Sequence, residues 1–578
     1  MKIKIYALIV LIACLTLLQP QIAFSASALQ TNVILPSSGV IQQNPTGTYS
    51  YIISVSGSNY QMKNGTTRQI VFQSTNSSKV FSNVVGNCSV GSSIDVESGV
   101  YAVNTMWLVN GINNITVNFE NGAKLVAGNN LNTAVLVLYN SDNCIIDGVE
   151  IDGNANQQIE GSGFTWNGLF MEADGIFVSG NNDRVQNAVV YNCRMVGVDI
   201  FAITGTVNNS GVTNSLIYDC GWNGINAGGS WYTSFNCYAI NNEVYGCGDV
   251  GINSNGNNGL IQGNYVHDMN GTTGDGNTHS GILNEGGNYT VITLNTVRNA
   301  AIAIGIAGQN YPCPPANYGT VSYNEITNCT SSGVVVFGGA NSGPNAYGTW
   351  AVGNIVAYNT ISHLIGASTH GITLIATSNN TVIGNIVSYC TWSGFYGVSA
   401  HNNTIILNSF FDNTVHGMDL TNCGNNYISE NQIYGQLDWG ISFASPSPNT
   451  VIINNNIHNN GYGSFSTDQI PNPALINNTG YNPLGYISTK FIHNATGLNY
   501  IVDGSNGGGN SSIWVSGTTY TNSGSPKDLI ISGGIVTAIV FNGQTLYTSA
   551  TNCTITLQPS DTFSITFSSA PTIKVFGQ

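Results

Sequence analysis

The feature that most constrains this chain is a repeat of 23 residues. Over residues 371–454, two asparagines and one glycine recur at that spacing. They are Asn380, Asn403, Asn426 and Asn449; Asn385, Asn408, Asn431 and Asn454; and Gly371, Gly394, Gly417 and Gly440. Each unit contains three short apolar runs separated by turns. We therefore predict a solenoid with three strands per coil, in which each strand pairs in parallel with its equivalent about 4.8 Å away.

The same glycine recurs upstream at looser spacing. Its predicted positions are Gly175, Gly197, Gly224, Gly251, Gly281, Gly305 and Gly333. Variable gaps at one strand position indicate that the turns change in length while the strands persist, because each coil of a solenoid contacts only its neighbours. We expect inward side chains to stack and the asparagines to form amide ladders along the axis. The density of Gly, Asn and β-branched residues excludes an α-solenoid.

Short segments early in the array carry a family resemblance. Residues 142–148 read Asp-Asn-Cys-Ile-Ile-Asp-Gly, and Ile-Asp-Gly-Asn follows at 151–154. Residues 93–124, with Gly99-Val100-Tyr101, resemble the segment that usually leads into a β-helix. Over residues 92–465 the chain resembles the pectate-lyase-like superfamily of right-handed parallel β-helices, which implies an all-β fold with coils of about 22–30 residues. This superfamily contains lyases, hydrolases, epimerases and proteins without known activity, so the resemblance does not define a reaction.

The remaining sequence suggests how the chain is divided. Lys2 and Lys4, an apolar run and Ala26-Ser27-Ala28 form a secretory signal, with a lipoprotein signal at Cys14 as the alternative. Apolar runs and turns near the C-terminus predict a small antiparallel β-domain. We expect a signal peptide (1–28), an N-terminal cap or leading strands (29–91), the β-helix (92–465), a linker (466–490) and a C-terminal β-sandwich-like domain (491–578).

Charge limits the partners of the chain. It has 12 basic and 27 acidic residues, for a net charge of −15. Nucleic acids and anionic membranes need basic patches, so we expect neither as a partner. No later stretch is long and apolar enough to span a bilayer. We expect a monomer that is secreted, extracellular or at the cell surface, with a polysaccharide or cell-surface glycan as its partner.

Two columns of residues recur at single positions of successive coils. Cys193, Cys220 and Cys247 are spaced by 27 residues. Apolar residues fill the same position in other coils, so we expect buried, stacked thiols, with disulfides as the alternative. The second column contains Tyr191, Tyr218, Tyr245, His267 and Arg298. It forms either a structural ladder or a track on which sugar rings stack.

Titratable groups are densest between residues 172 and 285. Asp199, Asn226 and Asn253 share one position in three coils and should form a polar row. The candidate catalytic residues are Asp174, Asp199, Arg194, His267, Asp268 and Glu285. The candidate substrate-binding residues are Trp222, Trp231, Tyr232, Asn226 and Asn253. A loop over residues 269–278 should cover this groove. The alternative interpretation is that these polar residues only shape turns.

A second candidate group contains His370, His416 and Asp419, with the two histidines two coils apart. No transition-metal ligand spacing occurs. Ca²⁺ is kept as a candidate cofactor, because lyases and epimerases commonly use Ca²⁺ or Arg to stabilise an enolate. The motifs of polygalacturonases and alginate epimerases, and the basic cleft of pectate lyases, are absent from the sequence.

Two functions fit these observations. The first is a protein that binds and cleaves a neutral or weakly acidic extracellular polysaccharide, as a glycoside hydrolase or polysaccharide lyase, with a carboxylate pair near Asp174 and Asp199. The second is a non-catalytic cell-surface or matrix β-helix protein. Two carboxylates about 5–10 Å apart in a groove would favour hydrolysis.

Overall fold

The structure is a computed structural model. It describes residues 49–159, 164–166, 169–203, 205–229, 233–270, 279–307, 316–338, 350–445, 447–465, 474–476, 478, 500–502, 519–521, 527–542, 544–547, 550–557, 562–569 and 572–577. The predicted signal peptide, Trp231, Tyr232 and most of the predicted covering loop therefore lie outside the described residues, as does most of the predicted linker.

Most of the described chain forms a right-handed parallel β-helix, as the sequence predicts. Each coil contributes one strand to each of three sheets, which we call sheets 1, 2 and 3 in chain order. In one coil these strands are Arg184–Gln186, Val189–Tyr191 and Val198–Ile200. Each pairs in parallel with its equivalents in the preceding and following coils.

The strands of the coils have the following bounds. In sheet 1 they are Ser93–Val96, Thr116–Phe119, Ile145–Asp147, Arg184–Gln186, Gly211–Thr213, Tyr238–Ile240, Leu260–Gln262, Val291–Thr293, Thr320–Ser322, Ile355–Ala357, Thr381–Ile383, Thr404–Ile406, Tyr427–Ser429, Val451–Ile453 and Ala474–Ile476. In sheet 2 they are Gly99–Val103, Ala123–Ala127, Glu150–Asp152, Val189–Tyr191, Leu216–Tyr218, Glu243–Tyr245, Tyr265–His267, Thr296–Arg298, Glu325–Thr327, Thr360–Leu364, Ile386–Cys390, Ser409–Phe411, Gln432–Tyr434 and Asn456–His458. In sheet 3 they are Trp107–Asn110, Leu136–Tyr139, Ile176–Ser179, Val198–Ile200, Ile225–Ala227, Val250–Ser254, Ser280–Glu285, Ile302–Ala307, Ser332–Phe337, His370–Ser378, Ser393–His401, His416–Thr421, Trp439–Phe443 and Gly463–Phe465, with Ala351–Val352 beside His370–Ser378.

Short elements accompany the coils. They are the parallel pair Val207–Asn208 and Ser234–Phe235, the antiparallel pair Phe164–Trp166 and Leu169–Met171, and the 3-10 turn Ala155–Gln157. Near the C-terminus the predicted antiparallel sheet is present. Its strands are Tyr500–Val502, Thr519–Thr521, Lys527–Phe541, Gln544–Tyr547, Ala550–Leu557, Thr562–Ser569 and Thr572–Gly577.

The chain enters the β-helix through three antiparallel strands and one helix. The strands are Tyr51–Ser56, Asn59–Asn64 and Ile70–Ser74, and the helix is Ser77–Asn87. The Asn76 side chain caps the helix by accepting a hydrogen bond from the Ser78 N–H. Val80, Phe81 and Val84 form the buried side of the helix, and the Phe81 ring stacks on Trp107 at 4.2 Å. No helix in the described parts of the chain is long and apolar enough to cross a membrane.

A glycine column lies at the start of the sheet 3 strands from Ile176–Ser179 to Trp439–Phe443, with one exception. A Cβ on Gly197 would lie 2.7 Å from the Gly224 carbonyl oxygen of the next coil, and a Cβ on Gly417 would lie 2.6 Å from that of Gly440. Glycine is favoured here because the backbones of successive coils approach closely and leave little room for a side chain. The sequence assignment was wrong at Gly305: Ala303 occupies that position of the column, and Gly305 lies opposite Leu283 on the outer face.

Asparagine ladders run along the interior, as predicted. The longer ladder contains Asn242, Asn264, Asn295, Asn324, Asn359, Asn385, Asn408, Asn431, Asn455 and Asn478. Each Nδ2 donates to the next Oδ1 at 2.8–3.0 Å. The predicted members Asn449 and Asn454 were wrong by one residue. The last turn contains an extra residue, so the shorter ladder ends on Thr450 and the longer one continues through Asn455.

The predicted cysteine column is inside the helix. Cys193, Cys220 and Cys247 are fully buried as free thiols, and Cys220 lies within hydrogen-bonding reach of both neighbours. Met269 and Ala300 continue the column in the next coils, and both are buried. The position is therefore an apolar, inward one, as the sequence indicated.

Candidate functional site

A polar row crosses the outer face of sheet 3. Asp199, Asn226 and Asn253 lie directly opposite one another in three successive strands. The row is bounded by Phe177 on one side and Leu283 on the other. Outward side chains one coil apart are about 4.8 Å from each other, so these groups are in reach of a single extended ligand.

Asp174 and Asp199 form a carboxyl pair at one end of this row. Asp174 is only 2% exposed, and its Oδ1 accepts a hydrogen bond from the Val196 N–H at 2.9 Å. Asp199 is half-buried, and its Oδ1 accepts from Asn226 Nδ2 at 3.0 Å. The half-buried Asp199 is the member of the pair that a ligand can reach.

Burial and neighbouring charges raise the pKa values of both carboxyls. Burial raises the pKa of Asp199 to about 7; the Asn226 hydrogen bond opposes this rise, and the charge of Glu172 adds to it. Burial and the charge of Asp199 raise the pKa of Asp174 well above its usual range. Two carboxyls that cannot both ionise easily keep a proton between them near neutral pH.

Glu285 lies at the other end of the row. Its Oε2 accepts a hydrogen bond from Asn253 Nδ2 at 3.1 Å. Burial raises the pKa of Glu285, and the charge of Asp249 adds to the rise. Asn226 and Asn253 separate Glu285 from Asp199, so their carboxyls are about 10–14 Å apart at ~4.8 Å per coil. That is too far for the acid and base of one hydrolytic step.

An exposed tryptophan lies at the edge of sheet 3 beside the carboxyl pair. Trp222 is 38% exposed, and its backbone N–H donates to the Met195 carbonyl of the preceding coil at 3.0 Å. Arg194 precedes Met195 and therefore lies at the same edge. Of the predicted residues, the structure thus brings together Asp174, Asp199, Arg194, Trp222 and Asn226, and it extends the row to Asn253 and Glu285.

His267 and Asp268 lie elsewhere. The strand Tyr265–His267 belongs to sheet 2, whereas Asp199 and Glu285 are in sheet 3. His267 Nδ1 is 2.8 Å from Asp268 Oδ2, and its Nε2 is 3.3 Å from Glu243 Oε1. The His267 and Asn299 hydrogen bonds lower the pKa of Asp268. These contacts form a separate group on sheet 2, away from the Asp174–Asp199 pair on sheet 3.

The aromatic column stacks on itself. The ring centroids of Tyr191 and Tyr218 are 4.8 Å apart, those of Tyr218 and Tyr245 5.0 Å, and those of Tyr245 and His267 5.0 Å. Because each inner ring covers the faces of its neighbours, little face area is left for a sugar. This geometry favours the structural ladder over the sugar track.

A second titratable group lies on sheet 3 in later coils. His370 and His416 are opposite Ser393 from either side, so they are two coils apart as predicted. His416 Nδ1 is 3.7 Å from Asp438 Oδ2, a residue that the sequence analysis missed. Burial lowers the pKa of each histidine to about 4. Burial and then the charge of Asp419 raise the pKa of Asp438 to about 6.

The sequence does contain a signal for Asp438. Trp392, Val415 and Asp438 are spaced by 23 residues, and backbone hydrogen bonds of 2.9 and 3.0 Å join them from coil to coil. The period therefore places Asp438 at the same edge of sheet 3 as Trp392. Asp438 directly precedes the sheet 3 strand Trp439–Phe443. Within the described residues, no group of three or more His, Cys, Asp and Glu side chains is arranged to hold a metal ion, so no Ca²⁺ ligands are assigned.

Comparisons with known proteins address the fold. Residues 315–480 match the family model described as a right-handed β-helix region. No curated protein sequence matches the chain. Similar solved structures include the A-module of a mannuronan C-5 epimerase from Azotobacter vinelandii (13% identity, 68% of this chain and 91% of that one, TM-score 0.38). Others are the Streptococcus pneumoniae surface adhesin PfbA (12%, 70% and 85%, 0.33) and an alginate lyase from Paenibacillus sp. (16%, 49% and 93%, 0.36).

Proposed function

We propose that this protein is a secreted polysaccharide-processing β-helix protein whose reaction centre is the Asp174–Asp199 pair. The observation that carries the proposal is the position of this pair: two adjoining carboxyls at the end of an outward polar row, beside the exposed Trp222. An extended glycan laid across sheet 3 would contact the row through its hydroxyls and the indole through an apolar C–H face.

In the proposed reaction, Asp199 exchanges the proton. With a pKa of about 7 it is present in both forms near neutral pH, so it can donate to a leaving glycosidic oxygen or accept from a sugar carbon. Asp174, held by the Val196 N–H, is a positioning residue whose charge state tunes Asp199. Arg194 at the same edge would face the developing negative charge.

The polar row supplies the binding part of the proposal. Asn226 and Asn253 already bond to Asp199 and Glu285, so their amides hold both carboxyls in place. Asn226 is the half-buried asparagine of the row, so its side chain is the amide that a substrate hydroxyl would contact. Trp231 and Tyr232 remain proposed contacts, and His267 and Asp268 are left out because they lie on sheet 2.

The proposal includes export through the segment 1–28 and an extracellular or cell-surface location as a monomer. The ranges 29–91, 466–490 and 491–578 are proposed as cap, linker and C-terminal domain. The alternative function, a non-catalytic glycan-binding surface or matrix protein, is favoured by the self-stacked rings, which stiffen the coils without leaving their faces open.

The test is a panel of neutral and weakly acidic polysaccharides assayed for new reducing ends and for unsaturated products. Reducing ends alone indicate hydrolysis, and unsaturated products indicate elimination. Asp199→Asn should abolish product formation, whereas Asp419→Asn, in the second titratable group, should retain it. The reverse result would move the reaction centre to the later coils, and binding without any product would support the non-catalytic alternative.

A further inference from the structure

A separate cavity of about 450 Å³ lies at the turn that leads from sheet 3 back to sheet 1. Its wall includes Trp350, Val352, His401, Asn402 and Asn425. The volume falls within the range of small-molecule sites, ~300–1,000 Å³. None of these lining residues belongs to the polar row or to the second titratable group.

A short strand beside Trp350 continues the pairing of sheet 3 at this turn. Ala351–Val352 pairs in parallel with Thr377 and Ser378 at the end of a nine-residue strand. Trp350 directly precedes this short strand and is 38% exposed. The Trp350 and His401 rings meet edge to face, with centroids 5.3 Å apart at 63°. The imidazole thus supports the indole and leaves part of it open to the cavity.

The polar groups of the cavity are uncharged. His401 Nδ1 accepts the Gly424 N–H at 3.0 Å, so the neutral ring carries its proton on Nε2. Burial lowers the pKa of His401, which keeps the ring neutral at neutral pH. Asn402 Nδ2 donates to Ser378 Oγ at 3.3 Å, and Asn425 Oδ1 accepts from Asn449. These bonds use Asn402 Nδ2 and Asn425 Oδ1, so Asn402 Oδ1 can accept from a ligand and Asn425 Nδ2 can donate to it.

We propose that this cavity binds a neutral pyranose unit of a glycan, with one sugar face on Trp350 and its hydroxyls on His401, Asn402 and Asn425. An indole takes the apolar C–H face of a sugar ring, and amides match hydroxyls as both donors and acceptors. A uronate would bring a carboxylate to a wall whose described residues include no cationic side chain, so the site selects against charged sugars. This binding site is independent of any reaction at the Asp174–Asp199 pair.

The test uses the full-length protein and methyl glycosides of glucose, galactose, mannose and N-acetylglucosamine, with glucuronate and galacturonate as charged probes. Binding is measured by saturation-transfer NMR and titration calorimetry. At least one neutral glycoside should bind, and Trp350→Ala should weaken it roughly tenfold or more. Trp350→Phe, which keeps an aromatic face, should retain part of the affinity, and equal thermal melting of the variants would establish that they fold.

The matched control is Trp392→Ala, which removes an equally exposed indole that belongs to neither proposed sugar site. It should leave the affinity for the neutral glycoside unchanged. The inference is overturned if no neutral glycoside binds, if Trp350→Ala binds as well as the wild type, or if a uronate binds more tightly. Retained sugar binding in Asp199→Asn, which should abolish processing, would separate this site from the proposed reaction centre.

Discussion

Replacing Asp199 by Asn tests the electrostatics of the carboxyl pair without reference to a substrate. Burial raises the pKa of Asp199 from 3.8 to about 7, so the folded state holds the ionised carboxylate at a cost. Three pKa units correspond to about 4 kcal/mol at 1.36 kcal/mol per unit. The asparagine has nearly the same volume, and its Oδ1 can still accept from Asn226.

The raised pKa of Asp199 determines whether the substitution stabilises or destabilises the protein. A carboxyl that is harder to ionise in the folded state destabilises the protein increasingly as the pH rises from about 4 through 7. Asp199→Asn should therefore raise the free energy of unfolding by up to about 4 kcal/mol at pH 8 and by about 2 kcal/mol at pH 5. Urea unfolding followed by tryptophan fluorescence at both pH values measures the difference.

The control is Asp268→Asn, for which we expect a change in stability of the opposite sign. Hydrogen bonds from His267 and Asn299 lower the pKa of Asp268, so its carboxylate contributes stability that is lost as the pH falls. Asp268→Asn should lower stability at pH 8, and only slightly because the side chain is exposed. If Asp199→Asn destabilises the protein equally at pH 5 and pH 8, the raised pKa and the shared-proton argument are both refuted.

Three further predictions concern the β-helix. Asn408→Ala removes a buried ladder amide and should lower the free energy of unfolding by about 3 kcal/mol, whereas the outward Thr404→Ala should change it by less than about 0.5 kcal/mol; equal effects would contradict the ladder. Gly417→Ala places a Cβ 2.6 Å from the Gly440 carbonyl oxygen and should lower the melting temperature, with destabilisation of about 1–3 kcal/mol. A thiol reagent should leave buried Cys220 unmodified in the native protein and modify it in urea, as mass spectrometry of the peptide would show.

The sequence predicted the fold where one residue type is strongly favoured at one position of the coil. Gly371 and Asn408 recur because the close approach of backbones favours glycine and the ladder hydrogen bonds favour asparagine, and the structure confirms both positions. The prediction was wrong at Gly305 and Asn454. Counting a fixed repeat length detects neither an alanine in place of the glycine nor an extra residue in a turn. The helix Ser77–Asn87 was missed although its capping asparagine and its apolar spacing are visible.

The candidate site was only partly predictable. The register of Asp199, Asn226 and Asn253 follows from equal spacing, so the polar row could be derived. His267 and Glu285 are close in sequence, but His267 lies in sheet 2 and Glu285 in sheet 3. A high density of titratable residues in the sequence does not show which sheet each residue joins. The electrostatic coupling of Asp174 to Asp199 depends on burial, which the spacing of residues does not reveal.

The leading strands protect the first coil of the β-helix. Tyr51–Ile53 pairs with the strand Ser93–Val96 of that coil, and Phe81 covers Trp107. Removal of the residues before 91 would uncover the hydrogen-bonding edge of that strand together with the apolar side chains beneath it. An exposed strand edge is a template on which another chain can pair, so the leading strands guard this edge of the protein against aggregation.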